Sequence, residues 1–142
     1  MRGFTLIELL VVVALIAVAT AGVTLSLRDS ASDALERDAQ RLAAVLESAR
    51  AQSRANGTPV TWQAQAGGFA LQGLPHSPNS QAWLSEQTRV QAGPAVVLGP
   101  EPLIQPRQIL LYSALPGGHS VRVVTDGLRP FEVRRDVAGG TP

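Results

Sequence analysis

The chain contains no cysteine, and all twelve of its basic residues are arginine, so lysine is absent as well. Without cysteine, the protein has no thiol catalysis, no disulfide bond and no cysteine-ligated zinc site. This absence is neutral on the cellular compartment, because periplasmic and surface proteins do not require disulfides. We interpret the missing lysine as a bias of genome composition, which carries no functional information.

Charge and length restrict the function further. The 142 residues leave room for one modest domain and an anchor. The net charge is +1 and the arginines show no clustered basic face, so we expect no nucleic-acid partner. The acidic residues beyond position 60 are too scattered for a calcium loop, and we expect neither a metal nor a cofactor. They are Glu86, Glu101, Asp126, Glu132 and Asp136.

What the chain does have is one long apolar segment near its start. Residues 9–19 are all apolar, and the first charge after Glu8 is Arg28. As a helix, residues 9–27 would measure about 28 Å, which nearly matches the roughly 30 Å hydrocarbon core of a bilayer. We therefore expect a single membrane span. Arg2 and Arg28 flank it on both sides, so positive charge says little about its orientation.

Glu8 is the unusual residue of this segment. A carboxylate within an apolar helix costs on the order of 3 kcal/mol on insertion scales and is usually paired. One interpretation is that Glu8 lies at the headgroup level and is hydrated. The other is that it pairs with a cation once subunits assemble.

Residues 3–9, GFTLIEL, resemble the prepilin cleavage and methylation motif of type IV pilins and pseudopilins. The motif is a glycine, a phenylalanine, a glutamate as fifth mature residue and then an uninterrupted apolar helix. The resemblance implies that a prepilin peptidase cleaves between Gly3 and Phe4 and that the new amine of Phe4 is N-methylated. It also implies that Glu8 neutralises the amine of a neighbouring subunit. Such pairing is physically reasonable, because either charge alone is costly among packed helices.

An ordinary secretory signal peptide is the competing interpretation. The small residues 19–21, ATA, resemble a signal-peptidase site and would give a mature start at Gly22. Against it, the region before the apolar segment is very short and an acidic residue interrupts that segment.

Residues 28–55 show the periodicity of an amphipathic helix. Apolar residues recur every three or four positions, at Leu35, Ala39, Leu42, Val45, Leu46 and Ala49. Charged residues lie mostly off that face, namely Glu36, Arg37, Arg41, Glu47, Arg50 and Arg54. Asn56 and Gly57 tolerate the left-handed conformation that ends helices, and Pro59 follows them. We expect a membrane helix over 4–27 that continues as an amphipathic helix over 28–55.

A second resemblance lies at the end of this helix. Residues 41–60, RLAAVLESARAQSRANGTPV, are similar to the H-type minor pseudopilins of type II secretion (GspH) and to FimT-like minor pilins. The two resemblances cover about the first 62 residues well and the remainder in outline. They imply antiparallel sheets packed on the apolar face of the helix.

Beyond Pro59, short apolar stretches alternate with turns, which is typical of β-structure. We predict strands over 59–64, 69–72, 89–92, 95–98, 108–112, 120–125 and 129–134. The first hairpin turns at Gly67-Gly68 and the last at Asp126-Gly127, and residues 74–81 form a loop. The fold class is α+β and pilin-like. The domains are a leader (1–3), a transmembrane helix (4–27), an amphipathic helix (28–55) and a periplasmic β-rich domain (56–142).

The β-rich region shows no convincing catalytic motif. His119, Ser120 and Asp126 are the residue types of a hydrolase triad, but no nucleophile-elbow pattern surrounds Ser120. Neighbouring residues on a strand also point to opposite faces. We expect no enzyme, and we expect His76 to be a surface residue. The aromatic residues Trp62, Trp83 and Phe131 are expected to serve in packing.

Resemblance to the H-type family implies a minor pseudopilin in the inner membrane of a Gram-negative bacterium, for export of folded proteins. Its partners would be a prepilin peptidase, the major pseudopilin, other minor pseudopilins and inner-membrane lipid. The scattered acids favour a minor subunit, since major pseudopilins have an acidic calcium loop. The alternative is a FimT-like minor pilin of a type IV pilus, which in some members contacts DNA. That would require a basic patch, for which Arg122, Arg129, Arg134 and Arg135 are candidates.

Overall fold

The computed structural model describes residues 3–75 and 80–136. Their first element is helix α1 (Leu6–Asn56), and eight strands follow it. The chain divides into two compact units, Met1–Ser30 and Ala31–Pro142, and α1 crosses the boundary between them. The predicted α+β class is therefore confirmed.

The first unit contains the apolar part of α1. Every side chain of the helix up to Ser30 is exposed, and the segment is long and apolar enough to cross a membrane. Thr20 donates a hydrogen bond to the carbonyl of Ile16 at 2.8 Å, and Thr24 donates to that of Thr20 at 3.0 Å. Both hydroxyls are satisfied within the helix, as a lipid environment requires.

In the second unit, α1 buries the predicted apolar face. Leu35, Ala39, Leu42, Leu46 and Ala49 are buried, and Val45 is half-buried. Ala43 joins them. The helix stops at Asn56, as predicted, where Gly57 takes a positive φ of 65° and Ser53 Oγ donates to the carbonyl of Thr58 at 2.6 Å.

One charged residue of α1 was placed wrongly from the sequence. Arg50 was expected off the apolar face but is only 1% exposed. Its guanidinium enters the domain because three backbone carbonyls accept its hydrogen bonds, those of Pro102, Gly127 and Arg129. A buried charge is tolerated when most of its donors are satisfied. Here both terminal nitrogens have carbonyl partners and the Glu47 carboxylate lies 3.9 Å away, while Nε has no partner in the described part of the chain.

The strands form two antiparallel sheets of four. The first sheet has the order β3-β2-β1-β5 and the second β4-β6-β7-β8. The strands are β1 (Thr61–Gln65), β2 (Gly68–Gln72), β3 (Ser80–Ala82), β4 (Thr88–Val90), β5 (Val96–Val97), β6 (Arg107–Ser113), β7 (Ser120–Thr125) and β8 (Glu132–Arg135). All seven predicted strands are present, most of them with shifted ends.

Three features differ from the predictions. The first hairpin turns at Ala66-Gly67 rather than at Gly67-Gly68, because Gly68 already pairs with Gln65 as the first residue of β2. The polar stretch 74–81 was predicted as a loop, but β3 begins at Ser80 within it. This strand can approach β2 because Gly68 has no side chain; a Cβ there would collide with the carbonyl of Gln81. The β7–β8 hairpin turns over residues 126–131 rather than at Asp126-Gly127 alone.

The core of the second unit lies between α1 and both sheets. It joins Leu35, Leu42 and Leu46 of the helix to inward side chains of the strands. Those strand residues include Trp62, Phe69, Leu71, Val96, Ile109, Leu111, Val121 and Val123. Trp62, Trp83 and Phe131 are all buried in this core, which confirms their predicted packing role.

Candidate processing and assembly site

Residues 3–5, the described residues around the predicted cleavage site, lie outside the helix and are accessible. Gly3 and Phe4 precede the helix, both are exposed, and the Phe4 side chain is 80% accessible. A protease binds its substrate in an extended form, so a scissile bond outside the helix is favourable geometry. Cleavage between Gly3 and Phe4 and methylation of Phe4 stay predictions.

Thr5 fixes where the helix begins. Its carbonyl accepts hydrogen bonds from the N–H groups of Glu8 at 3.1 Å and Leu9 at 3.2 Å. Its hydroxyl accepts a further bond from the Glu8 N–H at 3.4 Å. This is half of a capping box, the Thr-x-x-Glu pattern of helix starts. Thr5 was not predicted as a cap from the sequence, although its spacing from Glu8 is the pattern of a capping box.

Glu8 lies in the first turn of α1, where the partial positive charge of the helix end favours a carboxylate. Among residues 3–75 and 80–136, no cation lies within ion-pairing distance of it. Its side chain is exposed together with the apolar surface that follows. Glu8 is thus available to an external cation, and its role in assembly stays a prediction.

Residues 1–24 match a family model described as the prokaryotic N-terminal methylation motif. No curated protein and no solved structure matches the chain. The motif is the prepilin signal of type IV pilin-like proteins, and the long apolar helix and the two-sheet domain accompany it here. These features support a member of the pilin and pseudopilin class. A prepilin-type signal implies processing by a prepilin peptidase and assembly with other pilin-like subunits.

The four arginines considered as a nucleic-acid patch are each paired with a carboxylate. Arg122 lies 3.0 Å from Asp136, Arg129 lies 3.6 Å from Asp126, and Arg134 lies 3.7 Å from Glu132. Arg135 reaches Glu36 of α1 at 2.5 Å. Pairing neutralises the positive charge that phosphate groups would need.

The possible triad residues serve the structure of their own loops. Ser120 Oγ donates to Asp136 at 3.2 Å. Asp126 accepts hydrogen bonds from the N–H groups of Arg129 at 2.7 Å and Leu128 at 2.9 Å, which hold its pKa below the usual range. His119 is exposed and lies just before β7. His76, the other histidine, lies outside the described residues.

Two buried ionic residues of α1, missed from the sequence, organise the loops of the second unit. Asp38 is 1% exposed and accepts hydrogen bonds from the N–H groups of Leu84 and Ser85 and from the hydroxyl of Thr88. Arg50 donates instead, at 3.2 Å to the carbonyl of Pro102 and at 2.5 Å to that of Gly127. Charged positions on an amphipathic helix look alike in sequence, so only the fold distinguishes these two from solvated ones.

Proposed function

We propose that the protein is a minor pseudopilin, a structural subunit of a type II secretion pseudopilus. The observation that carries this proposal is the prepilin-type motif at residues 1–24. The likeness of residues 41–60 to H-type subunits supports the subtype, as does the packing of residues 31–56 on two antiparallel sheets. In this proposal the helix anchors the subunit in the inner membrane and the β-rich domain lies in the periplasm.

The proposed assembly step follows from charge. Cleavage before Phe4 would create an ammonium group, and Glu8 of a neighbouring subunit would offer its carboxylate. Both charges are costly among packed apolar helices when alone, and the cost falls when they pair. The exposed apolar surface of α1 up to Leu27 would be covered by lipid before assembly and by other helices afterwards.

We also propose that the protein is not an enzyme. Its role would be mechanical, as one subunit beside the major and other minor pseudopilins. The hydrogen bonds of Ser120 to Asp136 and of Asp126 to its own turn support this view, because both groups are already engaged.

The decisive experiment compares secretion with motility in the source bacterium. A strain in which the gene is deleted is expected to retain exported enzymes in the periplasm while twitching motility and DNA uptake stay normal. Complementation with the wild-type gene must restore export. Loss of twitching or of DNA uptake with normal export would instead identify a FimT-like minor pilin. The ion pairs of Arg122, Arg129, Arg134 and Arg135 do not favour that alternative.

A further inference from the structure

A groove of about 260 Å³ lies where the two sheets meet, beside the turn between β1 and β2. One wall is the end of β1 with that turn, and the other is β4 with the residues after it. The lining residues are Ala64, Gln65, Ala66, Gly67, Trp83, Arg89, Val90 and Ala92. The groove is slightly below the usual size of small-molecule pockets, which begin at about 300 Å³.

The wall formed by β4 presents unpaired backbone groups. Among the strands of residues 3–75 and 80–136, β4 is an edge of its sheet and pairs with β6 alone. The N–H of Gln91 donates to the carbonyl of Leu110 on β6 at 2.9 Å. Since backbone groups alternate between the two edges of an antiparallel strand, Val90 turns its groups away from β6. The same alternation, carried past Gln91 beyond the end of β4, gives Ala92 the same direction. Both residues line the groove.

The wall formed by β1 is unpaired for a different reason. Strand β5 covers only Thr61 and Trp62 of β1. By the same register, the residue opposite Ala64 would be Pro94, which has no N–H to donate and cannot extend the strand. Ala64 turns its backbone groups to this side, because Trp62 and Ala64 share the same alternation. Within the described residues, both walls of the groove are therefore open strand edges.

One charged side chain defines what the groove would accept. Arg89 is the one charged residue of the lining, it is exposed, and its guanidinium donates to the carbonyls of Glu86 and Thr88. An acidic side chain of the bound segment would form an ion pair with this guanidinium.

We propose that this groove is a strand-acceptor site, into which a short extended segment of another pilin-like subunit adds between β1 and β4. The segment would pair its backbone with Ala64 on one side and with Val90 and Ala92 on the other, joining the two sheets. Small side chains fit beside Gly67, and an acidic side chain fits beside Arg89. The inference goes beyond the proposed function, and it holds for a subunit of either secretion or pilus assemblies.

The test uses the full-length protein in detergent micelles. The probes are overlapping synthetic peptides of about ten residues, covering the extramembrane parts of the other pilin-like subunits of the same bacterium. At least one peptide is expected to slow amide hydrogen exchange at Ala64, Val90 and Ala92 by about tenfold or more. Tryptophan fluorescence reports the affinity of the same peptide.

Two matched proline variants then show whether the peptide binds at the β4 edge or at the β8 edge of the same sheet. Val90→Pro removes the outward N–H of β4 and should abolish binding, while protection of β6 and β7 amides shows that the fold persists. Val133→Pro is the control on β8, also a half-buried valine. Its N–H faces the free edge as well, because the N–H of Asp136 is the one that donates to β7. The Val133→Pro variant should bind the peptide with unchanged affinity.

A third variant tests the proposal even if Val90→Pro does not fold. Arg89→Gln removes the charge of the lining at an exposed position and is expected to weaken binding of an acidic peptide about two- to fivefold. Failure of every peptide to protect these amides would overturn the proposal, as would unchanged binding in both groove variants. Protection that rises with protein concentration without any peptide would make a second copy the occupant, and would also overturn it.

Discussion

Asp38 of the helix accepts a hydrogen bond of 2.7 Å from the hydroxyl of Thr88, which begins the edge strand β4. The same carboxylate holds the N–H groups of Leu84 and Ser85. One buried acid thus connects α1 to the loop between the two sheets, and removing it should release that loop.

Asp38→Asn should destabilise the second unit by about 1.5–3 kcal/mol, because an amide replaces the charge that strengthens these hydrogen bonds. Urea unfolding of the full-length protein in micelles, followed by tryptophan fluorescence, measures the change. Asp33→Asn alters an exposed acid on the same helix and should change the unfolding free energy by less than about 0.5 kcal/mol. Equal effects of the two variants would contradict the anchoring role of Asp38.

Arg50→Lys should also destabilise the unit, by about 2–3 kcal/mol. A lysine keeps the charge, but its compact ammonium cannot reach the carbonyls of Pro102, Gly127 and Arg129 with a planar fork. Arg37→Lys, at an exposed position of the same helix, is the matched control. Hydrogen exchange should show faster exchange in the loops around residues 102 and 127 only for Arg50→Lys.

Gly127→Ala should destabilise the protein by more than the strain of a positive φ alone would. Gly127 has a φ of 93°, and a Cβ there would collide with the carbonyl oxygen of Ile104. Gly57 also has a positive φ, of 65°, but open space surrounds it. We expect Gly57→Ala to cost about 1–2 kcal/mol and Gly127→Ala to cost about 3 kcal/mol or more. Thermal unfolding of both variants gives the comparison, and equal costs would argue against the collision.

Glu8→Ala should leave cleavage largely intact and reduce incorporation into the filament. The variant keeps Gly3, Phe4 and the hydroxyl of Thr5, but it loses the carboxylate proposed to pair with the Phe4 amine. Mass spectrometry of the mature amino terminus measures cleavage, and the yield in the sheared filament fraction measures assembly. Normal assembly of this variant would remove the argument from charge pairing.

The Asp126 carboxyl should make the stability of the β7–β8 turn fall at acid pH. Hydrogen bonds from the N–H groups of Arg129 and Leu128 lower the pKa of the folded carboxyl. The stabilisation is therefore fully present above the unfolded pKa of about 3.9 and disappears as the pH falls through the folded pKa. Asp126→Asn should remove this part of the pH dependence. An NMR titration of the carboxyl carbon checks the direction, and a pKa above the unfolded value would contradict it.

Much of the fold was predictable because burial imposes a period on the sequence. Leu35, Leu42 and Leu46 recur at helical spacing, and the alternation of residues 120–125 gives β7 its bounds. Strand β3 was not predictable, since Ser80 and Gln81 are polar and the strand forms because Gly68 allows close approach. Arg50 was missed because its partners are carbonyls distant in sequence, which no local pattern shows.

The functional residues likewise include some that the sequence predicts and some that it does not. Gly3, Phe4 and Glu8 lie in one short motif, so their roles could be proposed from sequence alone. The groove proposed as a strand acceptor could not, because it lies where β5 ends before Pro94, with Ala64, Val90 and Ala92 in its lining. Such a site depends on the pairing of strands, which the sequence does not state.

Asp38 and Arg50 hold the loops almost entirely through backbone groups. The hydrogen bonds of Arg50 all go to carbonyls, and Asp38 accepts from two N–H groups and one hydroxyl. The side chains that these loops expose, Leu84, Leu103 and Leu128, take no part in these hydrogen bonds. Residues on the outer surface of these loops can therefore be substituted one at a time without loss of the hydrogen bonds that hold the loops. An engineer could graft new recognition residues at these three leucines without touching what holds the loops in place.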